Sequence, residues 1–439
     1  MSLKFREKQG VSVLNKQKFQ NMIHEFTLDQ QALRDIAANF RYDVARGIDK
    51  SGESSLRMLK SYVGLPTGGE KGEYLALDFG GTNVRVLRIR LEGQGKFTVL
   101  KKVAKPLTFP GVYDFVGAEA TAEELFDFIA GIVDEAIDED HSTEYLLGHT
   151  FSFPSEQTNL YNAKLIVWTK EFATQGVEGK VVNDLLQAAL KRNGLRNVKP
   201  VAVINDTVAV LLAAAYKQAD TYIASIYATG HNTCYLEPYH GQAKKPMVIN
   251  LEAGGFNKLM VNAYDRRLDE ASEKPGEQRL EKMVSGRYLG DLFALCLADG
   301  LADNRQYEFS SIDISRILAD ESDDYPVIKT LLGQKTGMEF AADECAAIKD
   351  LATAIAARSA RIVAATYAGI IWHLDGTSVK KQHIAVDGSV YEKVPHAAEN
   401  IRSALYEVLG EAAADVDTVL ENGGSGLGAA IAAAIEPGA

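Results

Sequence analysis

Two stretches constrain the fold of this chain more than any other feature: LALDFGGTNVRVLRIRL at 75–91 and TYIASIYATGHNTCYLE at 221–237. Each is a β-rich apolar run, a glycine-containing turn with a threonine, and a second β-rich run. Gly80 and Gly81 in the first turn accept backbone angles that other residues avoid and let a ligand approach the main chain. Thr82 and Asn83 add a hydroxyl and an amide, and Thr229 with Gly230 repeats the arrangement. An ordinary hairpin needs no more than such a turn. A phosphate cradle uses the same bare amides and hydroxyl as donors to anionic oxygens. Taken singly, either stretch fits both readings. Their recurrence, about one domain's length apart, predicts two similar lobes turned toward one cleft, the usual place for a small-molecule site.

The rest of the chain interleaves helices and strands. Residues 17–64 carry helical spacing and charge and predict a helical lead-in. Thr121 with Glu124 makes a capping box ahead of an apolar helix. YLLGHTFSFP (145–154) predicts a buried strand running into a loop, and VVNDLLQAALKRNG (181–194) an amphipathic helix closed by Gly194. VAVIND (201–206) predicts a buried strand of the parallel kind, with Asp206 where a helix begins. That helix, TVAVLLAAAY, is apolar all round and so predicted to be buried. A long Ala-rich helix (341–371), a third strand and turn (HIAVDGSVY, 383–391) and a glycine loop opening into a helix (ENGGSGLGAAIAAAI, 421–435) complete the pattern. The last of these is a natural anion site.

The 439 residues suffice for two domains or one large α/β body split by a cleft. A formal net charge of −12 argues against non-specific nucleic-acid binding, which relies on dense Lys and Arg, but not against a local anion pocket. Cys234, Cys296 and Cys345 form no C-x-x-C pair, which favours a reducing compartment. The first twenty residues lack an apolar secretory core, and no run approaches about 18–20 consecutive apolar residues. The expectation is a soluble, cytoplasmic protein without a membrane span, whose oligomeric state the sequence leaves open.

Nine segments in order, LDFGGTNVRV, FSFPSEQ, LIVWTKEF, VINDTVA, YATGHNTCYLE, INLEAGGF, LEKMVSGRYLGDL, AVDGSVY and GGSGLGAA, make the chain resemble the hexokinase family from about residue 20 to 435. The resemblance covers one catalytic unit, and WTKEF with INDT is its most diagnostic pairing. It implies a two-lobed, actin-like ATPase (ribonuclease H-like) α/β fold. The small domain would comprise 67–205 plus 428–439, and the large domain 1–66 plus 206–427. It further implies that γ-phosphoryl passes from Mg-ATP to the 6-hydroxyl of glucose or a related hexose.

The resemblance nominates Asp206 as the base and Lys170 as a charge directed at the transferring phosphoryl group. It assigns the sugar to Ser152, Thr169, Lys170, Asn205, Asp206, Asn232, Glu252, Gln278 and Glu281. Their amides and carboxylates suit a polyol whose buried hydroxyls must all be paired. It assigns the nucleotide to Asp78, Gly80, Gly81, Thr82, Asn83, Arg85, Thr229, Gly230, Gly388, Ser389, Gly424 and Ser425. Asp78 would orient Mg²⁺ through water, since that ion keeps much of its hydration. Gln278 and Glu281, three apart, are expected on one helix face.

Some positions depart from the family pattern. Ala228 replaces the first glycine of a Gly-Thr-Gly turn, putting nucleotide affinity in question. Ala253 stands where a Trp is usual, Leu427 where a basic residue is common, and His231 at a variable position. Two rival readings share the lobes and turns. Another actin-like ATPase would have no need of FSFP, WTKEF and INDT, and a sugar-binding regulator would keep the polar set yet make no product.

Overall fold

The computed structural model describes residues 14–169, 171–238 and 245–435. Two sheets with the same strand order organise them. In the first, the strands run Val198–Ile204, Tyr145–Phe151, Lys71–Phe79, Asn83–Gly93, Lys96–Pro106 across the sheet. The first three are parallel to one another, and the last two complete an antiparallel meander from the central strand. In the second, Val416–Leu420, Gln382–Asp387 and Thr221–Tyr227 are parallel, and His231–Glu237 and Met247–Asn250 form the meander. One further edge strand, Leu59–Lys60, pairs with Asn250 and Ile249.

Both hairpins foreseen at 75–91 and 221–237 are present, and each occupies the same place in its own sheet. The helix opened by Thr121 is Ala122–Ala136, with the reciprocal capping bonds to Glu124 formed. The helix from Asp206 runs to Lys217, and its residues Thr207–Tyr216 are all buried. The Ala-rich helix is Ala342–Asp375, the core of the second lobe. By length and composition it could cross a membrane, but 83% of its most apolar window is buried inside the protein. The lead-in differs from expectation. Helices Lys16–Glu25 and Gln30–Asp49 form, but Lys50 takes a left-handed conformation and ends the second. From there the chain turns extended and feeds Leu59–Lys60 to the sheet edge.

Each lobe has its own core, and a third cluster joins them. It contains Ala76 and Ile204 from the first sheet, Ala224, Cys234 and Ala385 from the second, and the helices Asp206–Lys217 and Gly424–Ile435 between. The packing is close enough to exclude a methyl group. A Cβ on Gly148 would fall 1.8 Å from the Ala429 carbonyl oxygen, and one on Gly428 2.1 Å from that of Ala209. Leu427 belongs to this cluster, so its side chain is buried between the lobes.

Candidate active site

Strand register carries several of the nominated residues to one sheet edge. Asp78, Thr150 and Ile204 lie in one row across three strands. Asp78, Ser152, Asn205 and Asp206 therefore sit on the carboxyl-terminal side of the first sheet, where open α/β sheets present ligand crevices. Arg85 is the cross-strand partner of Asp78, and its guanidinium reaches the Asp78 carboxylate at 3.0 Å. In the turn, the Gly80 N–H donates to the Asn83 carbonyl at 3.3 Å and the Asn83 amide to the Thr82 hydroxyl oxygen at 3.0 Å.

Asn205 caps the helix that Asp206 begins, its amide oxygen accepting the Thr207 N–H at 2.9 Å. Asp206 accepts the same N–H at 2.8 Å, which orients one carboxylate oxygen against the helix end. Behind it the Cys234 thiol donates to the Thr207 carbonyl at 3.2 Å.

The polar set of the second lobe forms one network. The Asn232 amide donates to the Asn250 amide oxygen at 2.8 Å, and the Asn250 amide to Glu252 at 2.8 Å. The Asn232 oxygen accepts the Ala253 N–H at 3.1 Å, so Ala253 is fixed through its backbone. Glu281 accepts the His231 N–H at 3.1 Å. Gln278 and Glu281 both flank Gly254, but Gln278 is the left-handed cap of the helix Arg279–Val284 instead of a member of it. Burial raises the pKa of Glu252 and of Glu281 above the ordinary carboxylate value, and the Asp206 charge adds to the effect on Glu252. Asn250 was not anticipated from sequence, although it lies within INLEAGGF; its role rests on facing Cys234 in the strand register, two residues from Asn232.

Ser152 and Thr169 are set by aromatic packing. Phe79, Phe151, Phe153, Trp168 and Phe172 form one cluster, with Phe153 edge-on to Trp168 at 4.8 Å and Trp168 stacked on Phe172 at 4.9 Å. The cluster clamps FSFP against the LIVWT segment and ties both to Phe79 at the end of the first-turn strand. Lys170 lies outside the described residues.

At the second turn the Ala228 N–H donates to the Gly230 carbonyl at 3.0 Å. The Ala228 and Thr229 carbonyls accept the N–H groups of Gly286 at 2.8 Å and Arg287 at 3.1 Å. His231 is a buried neighbour of Tyr227 and begins the strand His231–Glu237; burial lowers its pKa to about 4. Gly388 has φ of 134°, and a Cβ there would lie 2.4 Å from the Tyr227 carbonyl oxygen. Ser389 opens the short helix that follows, and Gly424 and Ser425 open the last one. The Thr150 hydroxyl donates to the Ser425 carbonyl at 2.8 Å, joining that helix end to the first sheet.

Asp387, one residue before Gly388, is the second residue the sequence did not single out. Its pKa is pushed up to about 6, first by burial and then by the charges of Glu421, Asp206, Glu392 and Asp78. Carboxylates from both sheets thus act electrostatically on Asp387, a field that favours a divalent cation and its hard oxygen chemistry. Among the described residues no three His, Cys, Asp or Glu side chains are close enough to cage a metal by themselves. A cation held here would keep water and phosphate oxygens as ligands.

Two family models, both described as hexokinase, match residues 18–216 and 222–435. Hexokinase-1 of Oryza sativa subsp. japonica is 37% identical over 442 residues, spanning 92% of this chain and 87% of that protein. A solved hexokinase crystal structure superposes with a TM-score of 0.87 at 33% identity, covering 96% of this chain and 99% of the other. The hexokinase from Schistosoma mansoni complexed with glucose gives 0.79 at 29% identity, covering 95% and 99%. The chain is an enzyme of the hexokinase family.

Proposed function

We propose that this hexokinase transfers the γ-phosphoryl group of ATP to the 6-hydroxyl of glucose or a close relative, with Asp206 as general base. One observation carries the reading: Asp206 opens the buried helix at the carboxyl-terminal edge of the first sheet, beside its cap Asn205 and two residues after Ile204 in the row that holds Asp78. After burial, its charge helps raise the pKa of Glu252 and of Asp387. A carboxylate at that edge, with the sugar network and the two turns in the roles proposed for them, suits proton removal during transfer.

In this reading Asn232, Asn250, Glu252, Gln278 and Glu281 pair the sugar hydroxyls from one lobe, and Ser152, Thr169 and Asn205 from the other. Asp206 takes the 6-hydroxyl proton as its oxygen forms the bond to the γ-phosphorus. The bond from that phosphorus to the β–γ bridging oxygen breaks, and ADP leaves with the electron pair. Thr82, Arg85, Thr229 and Gly230 hold phosphate oxygens, and Lys170 adds a point charge. Gly388, Ser389, Gly424 and Ser425 face the nucleoside. When bound, Mg²⁺ neutralises the polyphosphate, and Asp78 would hold it through water. In the structure Arg85 neutralises Asp78, and phosphate arrival would draw the guanidinium to a second anion.

The small domain is proposed as 67–205 plus 428–439 and the large as 1–66 plus 206–427, closing over the sugar to exclude water. A cytoplasmic location is part of the same proposal. The test is a coupled assay for hexose 6-phosphate with Mg-ATP and a panel of hexoses. Product from glucose supports the reading, and no product from any sugar sinks it.

A further inference from the structure

The second turn is braced from below by two hydroxyls that the proposed chemistry does not use. The Ser359 hydroxyl, on the core helix Ala342–Asp375, donates to the Val284 carbonyl at 2.6 Å. A serine hydroxyl has one proton, so the 2.5 Å contact between Tyr227 and Ser359 must have the Tyr227 phenol as donor. Both residues are buried, and burial pushes the Tyr227 phenol above its ordinary value, which keeps it protonated. Val284 ends the helix Arg279–Val284, where a carbonyl has no partner within the helix.

Tyr227 leads directly into the turn. Its carbonyl oxygen packs against Gly388, its ring meets His231 edge-on at 6.0 Å, and the next two carbonyls accept from Gly286 and Arg287. The same short helix carries Glu281, one of whose oxygens holds the His231 N–H and lies 3.0 Å from where a Cβ on Gly230 would be. The turn and the helix are therefore joined at both ends, by Glu281 above and by the hydroxyl chain below.

We infer that Tyr227 and Ser359 are positioning residues that lock the second phosphate turn to the helix bearing Glu281, so that sugar bound at Glu281 changes nucleotide affinity at Thr229 and Gly230. The inference rests on the proposed roles of those residues.

The experiment is titration of Mg²⁺ with the imido analogue of ATP, without and with saturating glucose, on the parent enzyme, Tyr227→Phe, Ser359→Ala and the double variant. In the parent, glucose should tighten analogue binding about 10-fold, within the usual range for coupled sites. Each single variant should reduce that factor to about 2-fold, and the double variant should go no further, because both remove one chain of bonds. Glucose affinity without nucleotide should stay unchanged, and the steady-state KM for ATP should rise several-fold while kcat falls less. A merely structural role would lower the melting temperature and leave the coupling factor at the parent value, and that outcome overturns the inference. Should Ser359→Ala fail to fold, Tyr227→Phe decides by the same readout. A parent enzyme whose analogue affinity does not respond to saturating glucose overturns this inference alone, whereas failure to bind glucose at all overturns the functional reading beneath it.

Discussion

The two turns proposed to meet phosphate occupy equivalent places in two sheets of the same strand order, yet they are held by different forces. The first, Gly80–Asn83, is flanked by a charged pair, Arg85 with Asp78, and its Thr82 and Arg85 are exposed. The second, Ala228–Gly230, is held by main-chain bonds to Gly286 and Arg287, by the Glu281 carboxylate and by a tight seat against Gly388. One topology thus offers a turn flanked by an exposed ion pair and a turn that is packed and hydrogen-bonded. The difference teaches that a repeated topology fixes where a turn sits, and side chains fix how it is held.

The largest effect tests the group between the turns. Asp206→Ala should lower kcat about 1,000-fold, within the range for loss of a general base, while leaving sugar affinity largely intact. Near-parent turnover would remove Asp206 from the base role and leave the two turns without a common partner.

Next comes the packed turn. Gly388→Ala puts a methyl 2.4 Å from the Tyr227 carbonyl oxygen at a φ of 134°. It should destabilise the protein by about 2–3 kcal/mol, raise the KM for ATP, and do both to the same extent at low and high salt. The charged turn should behave in the opposite way. Arg85→Ala should leave the melting temperature near the parent value, because an exposed pair contributes little to stability. It should raise the KM for ATP about 10-fold at low salt, with a smaller penalty in 0.5 M salt as screening weakens the parent contact. Equal salt responses in the two variants would erase the distinction between the turns.

The sequence makes some of this legible and hides the rest for physical reasons. The hairpins, the Thr121–Glu124 cap and the buried helix after Asp206 are encoded by neighbours in the chain, through local periodicity and capping. The turn positions are legible for the same reason. What holds the second turn is not. Tyr227 and Ser359 are 132 positions apart, and nothing near either residue announces the other. Asn250 acts by facing the strand of Asn232 across a register, and Asp387 stands out only because folding buries it and brings the charges of Glu421, Asp206 and Asp78 to bear on it. The segment after Lys50 misled because its helical spacing outlasted the helix, which a left-handed cap had already closed.

The smallest effect probes the field that the two turns share. Asp387 titrates at about 6 in the folded protein against 3.8 in an exposed chain. A carboxyl raised on folding binds its proton more tightly when folded, so stability falls as pH rises from about 4 to about 6. Above that window the charged form is penalised, and below it the penalty is absent. The difference sets a ceiling of about 3 kcal/mol, of which Asp387→Asn should recover about 1 kcal/mol at pH 7, since the asparagine amide is desolvated as well. Chemical denaturation at pH 4, 5.5 and 7 reads this directly: parent and variant should converge at pH 4 and separate at pH 7. Glu252 and Glu281, also raised by burial, keep a slope of the same sign in the variant. Mg²⁺ with ADP should narrow the gap at pH 7, because a cation in the cleft offsets the charges that penalise Asp387. A constant gap at all three pH values would mean that Asp387 acts through packing alone, and that the carboxylates of the two lobes do not sense one another.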